Sequence, residues 1–141
     1  TYPLDAREQQ QIENGVRQPL GDYLGSVMQP GEAVVAEPAG YIGYYSRALL
    51  YDWPGLTSPT MVAVMKALPR EQRTMSYGIA RLEPAWLALR PAEMADLQAQ
   101  FPEVAQRYRL VKQFKTEVEL RRWGISYWNI DREFSVWRRG D

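Results

Sequence analysis

Apolar positions recur at three- and four-residue steps through Ile12, Val16, Leu20, Tyr23, Leu24, Val27 and Met28, which predicts helix across 5–28. Asp5 followed by Glu8 suits a capping-box start, whereas Gly15 and Pro19 point to a kink or two shorter helices. Pro30-Gly31 then marks a turn. The pattern changes to short apolar runs between turn signals. "AVVAE" (33–37), "ALLYDW" (48–53) and "AWLALR" (85–90) each read as a strand buried on both faces. Between the second and third, Ser58 as N-cap and Pro59 at the first helical position open a helix with Met61, Val62, Met65 and Leu68 on one face. "REQRTMSYGIARL" (70–82) reads as a further helix that Gly78 weakens. Pro91 opens one carrying Met94, Leu97 and Phe101, and Pro102 restarts the chain.

"YRLVKQFKT" (108–116) and "EFSVWRR" (133–139) alternate in half-exposed fashion and are expected to pair as the outer strands of the sheet. The stretch between them has no clear period and reads as a long loop. Helices alternating with short buried strands predict an α/β three-layer sandwich. Its sheet is expected to be mostly parallel, with about five strands and antiparallel ones at one end. Right-handed crossovers place the first strand centrally, between the second and the third. No repeat or linker divides the chain, so 1–141 is expected to be a single soluble domain.

Composition narrows the chemistry. The chain has neither histidine nor cysteine, which removes His-dependent nucleophile systems, disulfides and the usual zinc sites. A metal would need oxygen ligands, and acid–base work would fall to carboxylates, lysine or tyrosine. Lys+Arg and Asp+Glu balance at 17 each, so no overall field draws the chain onto nucleic acid. No apolar run reaches the roughly 18 to 20 residues of a membrane span. The first residue is Thr1 rather than Met, which leads to the expectation of a piece of a longer protein.

Candidate chemistry gathers around "AEPAGYIGYYS" (36–46) and the second strand. If the first two strands are parallel neighbours, Glu37 and Asp52 meet at their carboxyl ends, where ligands of open α/β sheets bind. Such a pair can bond sugar hydroxyls, hold a divalent ion or act as acid and base; it can equally bond loop amides. Gly40 and Gly43 follow a strand, but the third glycine of a dinucleotide loop and the lysine of a P-loop are missing. A tight, closely packed turn explains them as well. Tyr41, Tyr44, Tyr45, Tyr51 and Trp53 surround the carboxylates, as aromatic rings do in sugar sites and also in ordinary packing. Further on, Arg121, Arg122, Trp123, Tyr127, Trp128, Trp137, Arg138 and Arg139 interleave bases with aromatics, a composition suited to a membrane interface or to single-stranded nucleic acid; the zero net charge argues against nucleic acid, and a solvated loop plus an edge strand is the default.

The residues from Val16 to Phe114, above all "VVAEPAGYIGYYSRALLYDWPGLTSP", resemble the soluble C-terminal region of bacterial GT-C-type membrane glycosyltransferases, similar to the dolichyl-phosphate-mannose-protein mannosyltransferase and arabinosyl or mannosyl transferase families. Gly40, Tyr41, Gly43, Tyr44, Ser46, Asp52, Gly55, Leu56 and Ser58 carry the match; the chain beyond Thr116 has no counterpart in it. The resemblance implies an extracytoplasmic domain, periplasmic or facing the cell wall, tethered to the membrane portion of the same polypeptide. It also implies that the catalytic acid lies elsewhere in the parent enzyme. The expected role is therefore non-catalytic binding of acceptor glycan or polyprenyl-phosphate-linked sugar, with no cofactor and no nucleic acid. The binding set is Glu37, Gly40, Tyr41, Gly43, Tyr44, Tyr45, Ser46, Asp52 and Trp53. Two other readings stay open: a free-standing α/β enzyme using carboxylate-held Mg²⁺ or Mn²⁺ on a sugar or phosphorylated substrate, and a structural or protein-interaction module.

Overall fold

The computed structural model describes residues 18–36, 49–52, 58–115, 120–122, 125–127 and 133–140. Helix α1 (Gln18–Val27) buries Leu20, Gly21 and Leu24, one stripe at three- and four-residue spacing. Pro19 sits in its first turn, where a missing N–H costs nothing. The 5–17 part of the predicted helix lies outside the described residues. Gly31 turns the chain at φ 87°, in the left-handed region that glycine enters freely. Strand β1 (Ala33–Ala36) follows, buried at every position.

Strand β2 (Leu49–Asp52) leads to α2 (Pro59–Ala67). Here the expected start is found: Met61 N–H donates to Ser58 Oγ at 3.2 Å, and Pro59 occupies the first turn. A short 3₁₀ turn (Arg70–Gln72) precedes α3 (Met75–Leu82), which Thr74 caps. Gly78 does not break α3. A Cβ there would meet Met61 Sδ at 2.9 Å, so the glycine lets α3 lie close against α2. Glu83 ends α3 in a left-handed conformation, φ 40°.

Strand β3 (Trp86–Leu89) is fully buried and runs into α4 (Pro91–Gln100) and the single turn α5 (Pro102–Ala105). The chain closes with β4 (Tyr108–Lys115), β5 (Leu120–Arg122), β6 (Ile125–Tyr127) and β7 (Glu133–Arg139).

One sheet has five strands in the order β2-β1-β3-β7-β4, and β5 and β6 form a separate two-stranded pair. Helices cover both of its faces. On one, α1 sets Leu20 and Leu24 against Val34, Ala36, Trp86, Ala88, Phe134 and Val136. On the other, Met61, Met65, Ile79, Met94 and Leu97 from α2, α3 and α4 pack on Val35, Leu87 and Leu89. Alternate residues of β1 and β3 thus feed opposite cores, which is why these strands read as unbroken apolar runs.

The expected mostly parallel sheet is not what forms. β1 pairs in parallel with β2 and β3, but β3–β7 and the longer β4–β7 ladder are antiparallel, so the sheet is mixed and antiparallel pairing predominates. The difference lies in β7. Its sequence alternates like an outer strand, yet it is inserted between β3 and β4, with Phe134, Ser135 and Val136 buried. Nor is 117–132 only a loop: β5 and β6 pair within it, Leu120 opposite Tyr127 and Arg122 opposite Ile125.

Candidate functional site

Three parallel strands end together. Ala36, the last residue of β1, pairs with Asp52, the last of β2, and with Ala88 near the end of β3. In the order β2-β1-β3 the chain leaves β1 toward one side and returns from β2 to the other, so the direction of winding reverses between β1 and β3. In open α/β sheets the crevice beyond the carboxyl ends at such a reversal is where ligands bind. Asp52 is placed here by its backbone, level with Ala36, and Glu37 is the next residue in sequence after Ala36. Glu37, Gly40, Tyr41, Gly43, Tyr44, Tyr45, Ser46 and Trp53 lie outside the described residues.

The same edge carries a cation, Arg90, at the last position of the strand expected over 85–90. Arg90 is the first residue past β3, at φ −73° and ψ 159°, the extended geometry that a following proline imposes. Its side chain is 15% exposed, with Nη1 3.5 Å from Glu93 Oε2. Its guanidinium carbon lies 5.6 Å from the centre of the Phe134 ring. Glu93 Oε1 also accepts from the Arg90 backbone N–H at 2.8 Å, which closes the start of α4. The guanidinium is therefore held by a carboxylate and a ring at the β1/β3 reversal. A readable signal existed: a base between a four-residue apolar run and a helix-opening proline stands at the strand's exit.

The opposite edge, at the amino ends of β1 and β3, is closed by polar bonds. Glu32 Oε1 accepts from Trp86 Nε1 at 3.0 Å and from the Gln29 N–H at 2.8 Å, and Glu32 Oε2 pairs with Arg138 Nη1 at 2.8 Å. Arg138 also lies over the Trp86 ring, 4.9 Å from its centre. Desolvation pushes the Glu32 carboxyl up, but the bonds from Gln29 and Trp86 and the charge of Arg138 outweigh it and hold its pKa below 4.5. Nearby, Tyr108 O–H donates to Pro84 O at 2.6 Å, and Arg107 and Arg139 engage the Glu83 side chain and carbonyl. Burial raises the Tyr108 pKa above its usual 10. These groups satisfy one another and hold β3, β4 and β7 together.

A family model for a domain of unknown function, DUF8728, matches residues 5–137. The chain belongs to this family. No curated protein and no solved structure matches it. The DUF8728 match spans the carboxyl edge, Arg90 and the β4–β7 ladder as far as Trp137, so the candidate site falls within the family's domain rather than in an appendage. Among the described residues no group of three or more acidic side chains is arranged to hold a metal ion, and no helix is long and apolar enough to cross a membrane. In this DUF8728 domain, the edge sets the backbone of Asp52 level with Ala36, next to the strand that Arg90 leaves. Carboxylates accept from hydroxyls and a guanidinium donates to anionic oxygens, a combination suited to holding a polyhydroxylated or phosphorylated ligand.

Proposed function

We propose that this domain is a non-catalytic, ligand-binding part of a bacterial membrane glycosyltransferase, held on the extracytoplasmic side by the membrane portion of the same polypeptide. It binds acceptor glycan or polyprenyl-phosphate-linked sugar at the carboxyl edge of β1, β2 and β3. The observation that carries this reading is the register of β1 with both neighbours: Asp52 lies level with Ala36, Glu37 follows Ala36, and Arg90 leaves the adjacent β3. The GT-C resemblance of the sequence supplies the ligand class. In that arrangement Glu37 and Asp52 accept from sugar hydroxyls, tyrosines of the 41–45 segment cover C–H faces, and Arg90 meets the phosphate.

Calorimetric titration with a short-chain polyprenyl-phosphate sugar and with the matching neutral oligosaccharide tests it. Both are expected to bind weakly, with Kd about 1 mM. Asp52→Asn with Glu37→Gln weakens both ligands. Arg90→Gln weakens the phosphorylated ligand about tenfold, the value of a charge-assisted bond, and leaves the neutral glycan unchanged. Absence of binding by either ligand, or equal loss of both in Arg90→Gln, contradicts the proposal.

A further inference from the structure

Charge is unevenly distributed over a chain whose totals balance. β4 carries Arg109, Lys112 and Lys115 and no acidic residue, and its neighbour β7 adds Arg138 and Arg139 against Glu133 alone. Arg138 is committed to Glu32, and Arg107, just before β4, to Glu83. Arg109, Lys112 and Lys115 are all exposed. Across the ladder Arg109 faces Arg138, whose charge Glu32 already meets. Lys112 Nζ stands 5.9 Å from the centre of the Tyr23 ring, and Lys115 is opposite Glu133. Within this row sits Leu110, 45% exposed and the only large hydrophobic residue exposed among the described residues.

β4 is also an edge strand, so two kinds of partner would suit its charge: an acidic segment adding to the sheet, or an anionic surface meeting the side chains. The ladder decides between them. Its register shifts between Leu110 and Lys112, and such an irregularity bends the strand and interrupts the flat row of N–H and C=O groups that an added strand needs. The cations lie on both sides of the strand, Lys112 toward α1 and Lys115 two register positions past Gln113, rather than around one cleft. A row of exposed cations with one apolar side chain among them fits a fluid, diffusely charged surface. Beyond Lys115 the chain continues into β5 with Arg121 and Arg122. We infer that the β4 edge docks onto the anionic phospholipid headgroups of a membrane, through Arg109, Lys112 and Lys115 with Leu110 entering the interface.

The proposal is independent of glycan binding at the carboxyl edge, and its test uses no sugar. The chain is sedimented with vesicles of equal phosphatidylglycerol and phosphatidylcholine, and with phosphatidylcholine alone. Binding is expected only to the anionic vesicles and is expected to fall when salt is raised from about 0.05 M to about 0.5 M, as the screening length shrinks. At about fivefold per cation near an anionic leaflet, the Arg109→Gln, Lys112→Gln, Lys115→Gln variant should partition roughly a hundredfold less. A control removes equal charge from exposed positions on the helical layer, Lys66→Gln, Arg70→Gln, Arg81→Gln, and should bind as the unaltered chain does. Both triple variants alter exposed side chains, and unchanged circular dichroism verifies their folding. Equal binding to neutral vesicles, or equal loss in the two variants, overturns the assignment. So does poly-glutamate binding as tightly as the anionic vesicles and lost in the β4 variant, which would give the edge to an acidic protein partner.

Discussion

Replacing Glu32 should separate the worth of a charge from the worth of an acceptor. Glu32 lies between α1 and β1, 17% exposed, and its two oxygens serve Trp86 Nε1, the Gln29 N–H and Arg138. In Glu32→Ala the Trp86 donor, on a residue 6% exposed, loses its partner, a cost of about 2 kcal/mol for an unsatisfied buried group. Arg138 is 23% exposed, so water recovers part of what it loses and the ion pair adds only about 1 kcal/mol. The Gln29 amide is exposed and turns to solvent at little cost. The total is about 3 kcal/mol for Ala and, because Gln keeps an acceptor for Trp86 and Gln29, about 1 kcal/mol for Glu32→Gln. Urea unfolding followed by tryptophan fluorescence measures both. The folded pKa of Glu32 is lowered below 4.5, so its charge contributes fully above that value and the contribution is lost as pH falls through the folded pKa. The gap between the unaltered chain and Glu32→Gln should therefore be complete at neutral pH and close in acid. Glu32→Gln as destabilising as Glu32→Ala, or a gap indifferent to pH, would mean that the acceptor for Trp86, or the charge facing Arg138, does not hold this edge.

Ser58→Ala should cost about 1 kcal/mol in the same assay, because the Met61 N–H at the start of α2 loses its 3.2 Å acceptor. Ser58→Asp, which restores an acceptor, should recover most of it. Tyr108→Phe should cost about 1 kcal/mol through the bond to Pro84 O. Burial raises the Tyr108 pKa above 10, so its contribution is full below 10 and declines as pH rises beyond that; phenolate absorbance should show this tyrosine ionising only as the chain unfolds.

Local signals in the sequence identified elements better than they identified the sheet. Ser58-Pro59 marks a helix start whose hydrogen bond is local, and the runs 33–36 and 86–89 are apolar because two cores claim alternate residues. The sheet's character depended on where β7 inserts, and a strand with Phe134, Val136 and Trp137 alternating with Ser135 and Arg138 reads the same at an edge as beside β3. Its burial comes from α1 on one face, a contact across more than half the chain that no local pattern encodes. The expectation of adjacent parallel strands put Asp52 beside the end of β1, which the register shows. Arg90 was overlooked because a base at the end of an apolar run looks like a strand residue; its role at the edge depends on Phe134, distant in sequence. Glu32 gave no signal either, since both of its side-chain partners, Trp86 and Arg138, are remote.

Binding of a glycan or a lipid-linked sugar at the proposed carboxyl edge of β1, β2 and β3 is open to direct measurement. Backbone amide shifts of the isotopically labelled chain, recorded during titration with a mannose oligosaccharide and a short-chain polyprenyl-phosphate sugar, report on that edge residue by residue. Saturable shifts are expected at Ala36, Asp52, Arg90 and the residues that follow Ala36 and Asp52 in sequence, with Glu32, Tyr108 and Arg138 at the opposite edge unmoved. Shifts confined to that opposite edge, or none with either ligand, would contradict binding at the carboxyl edge.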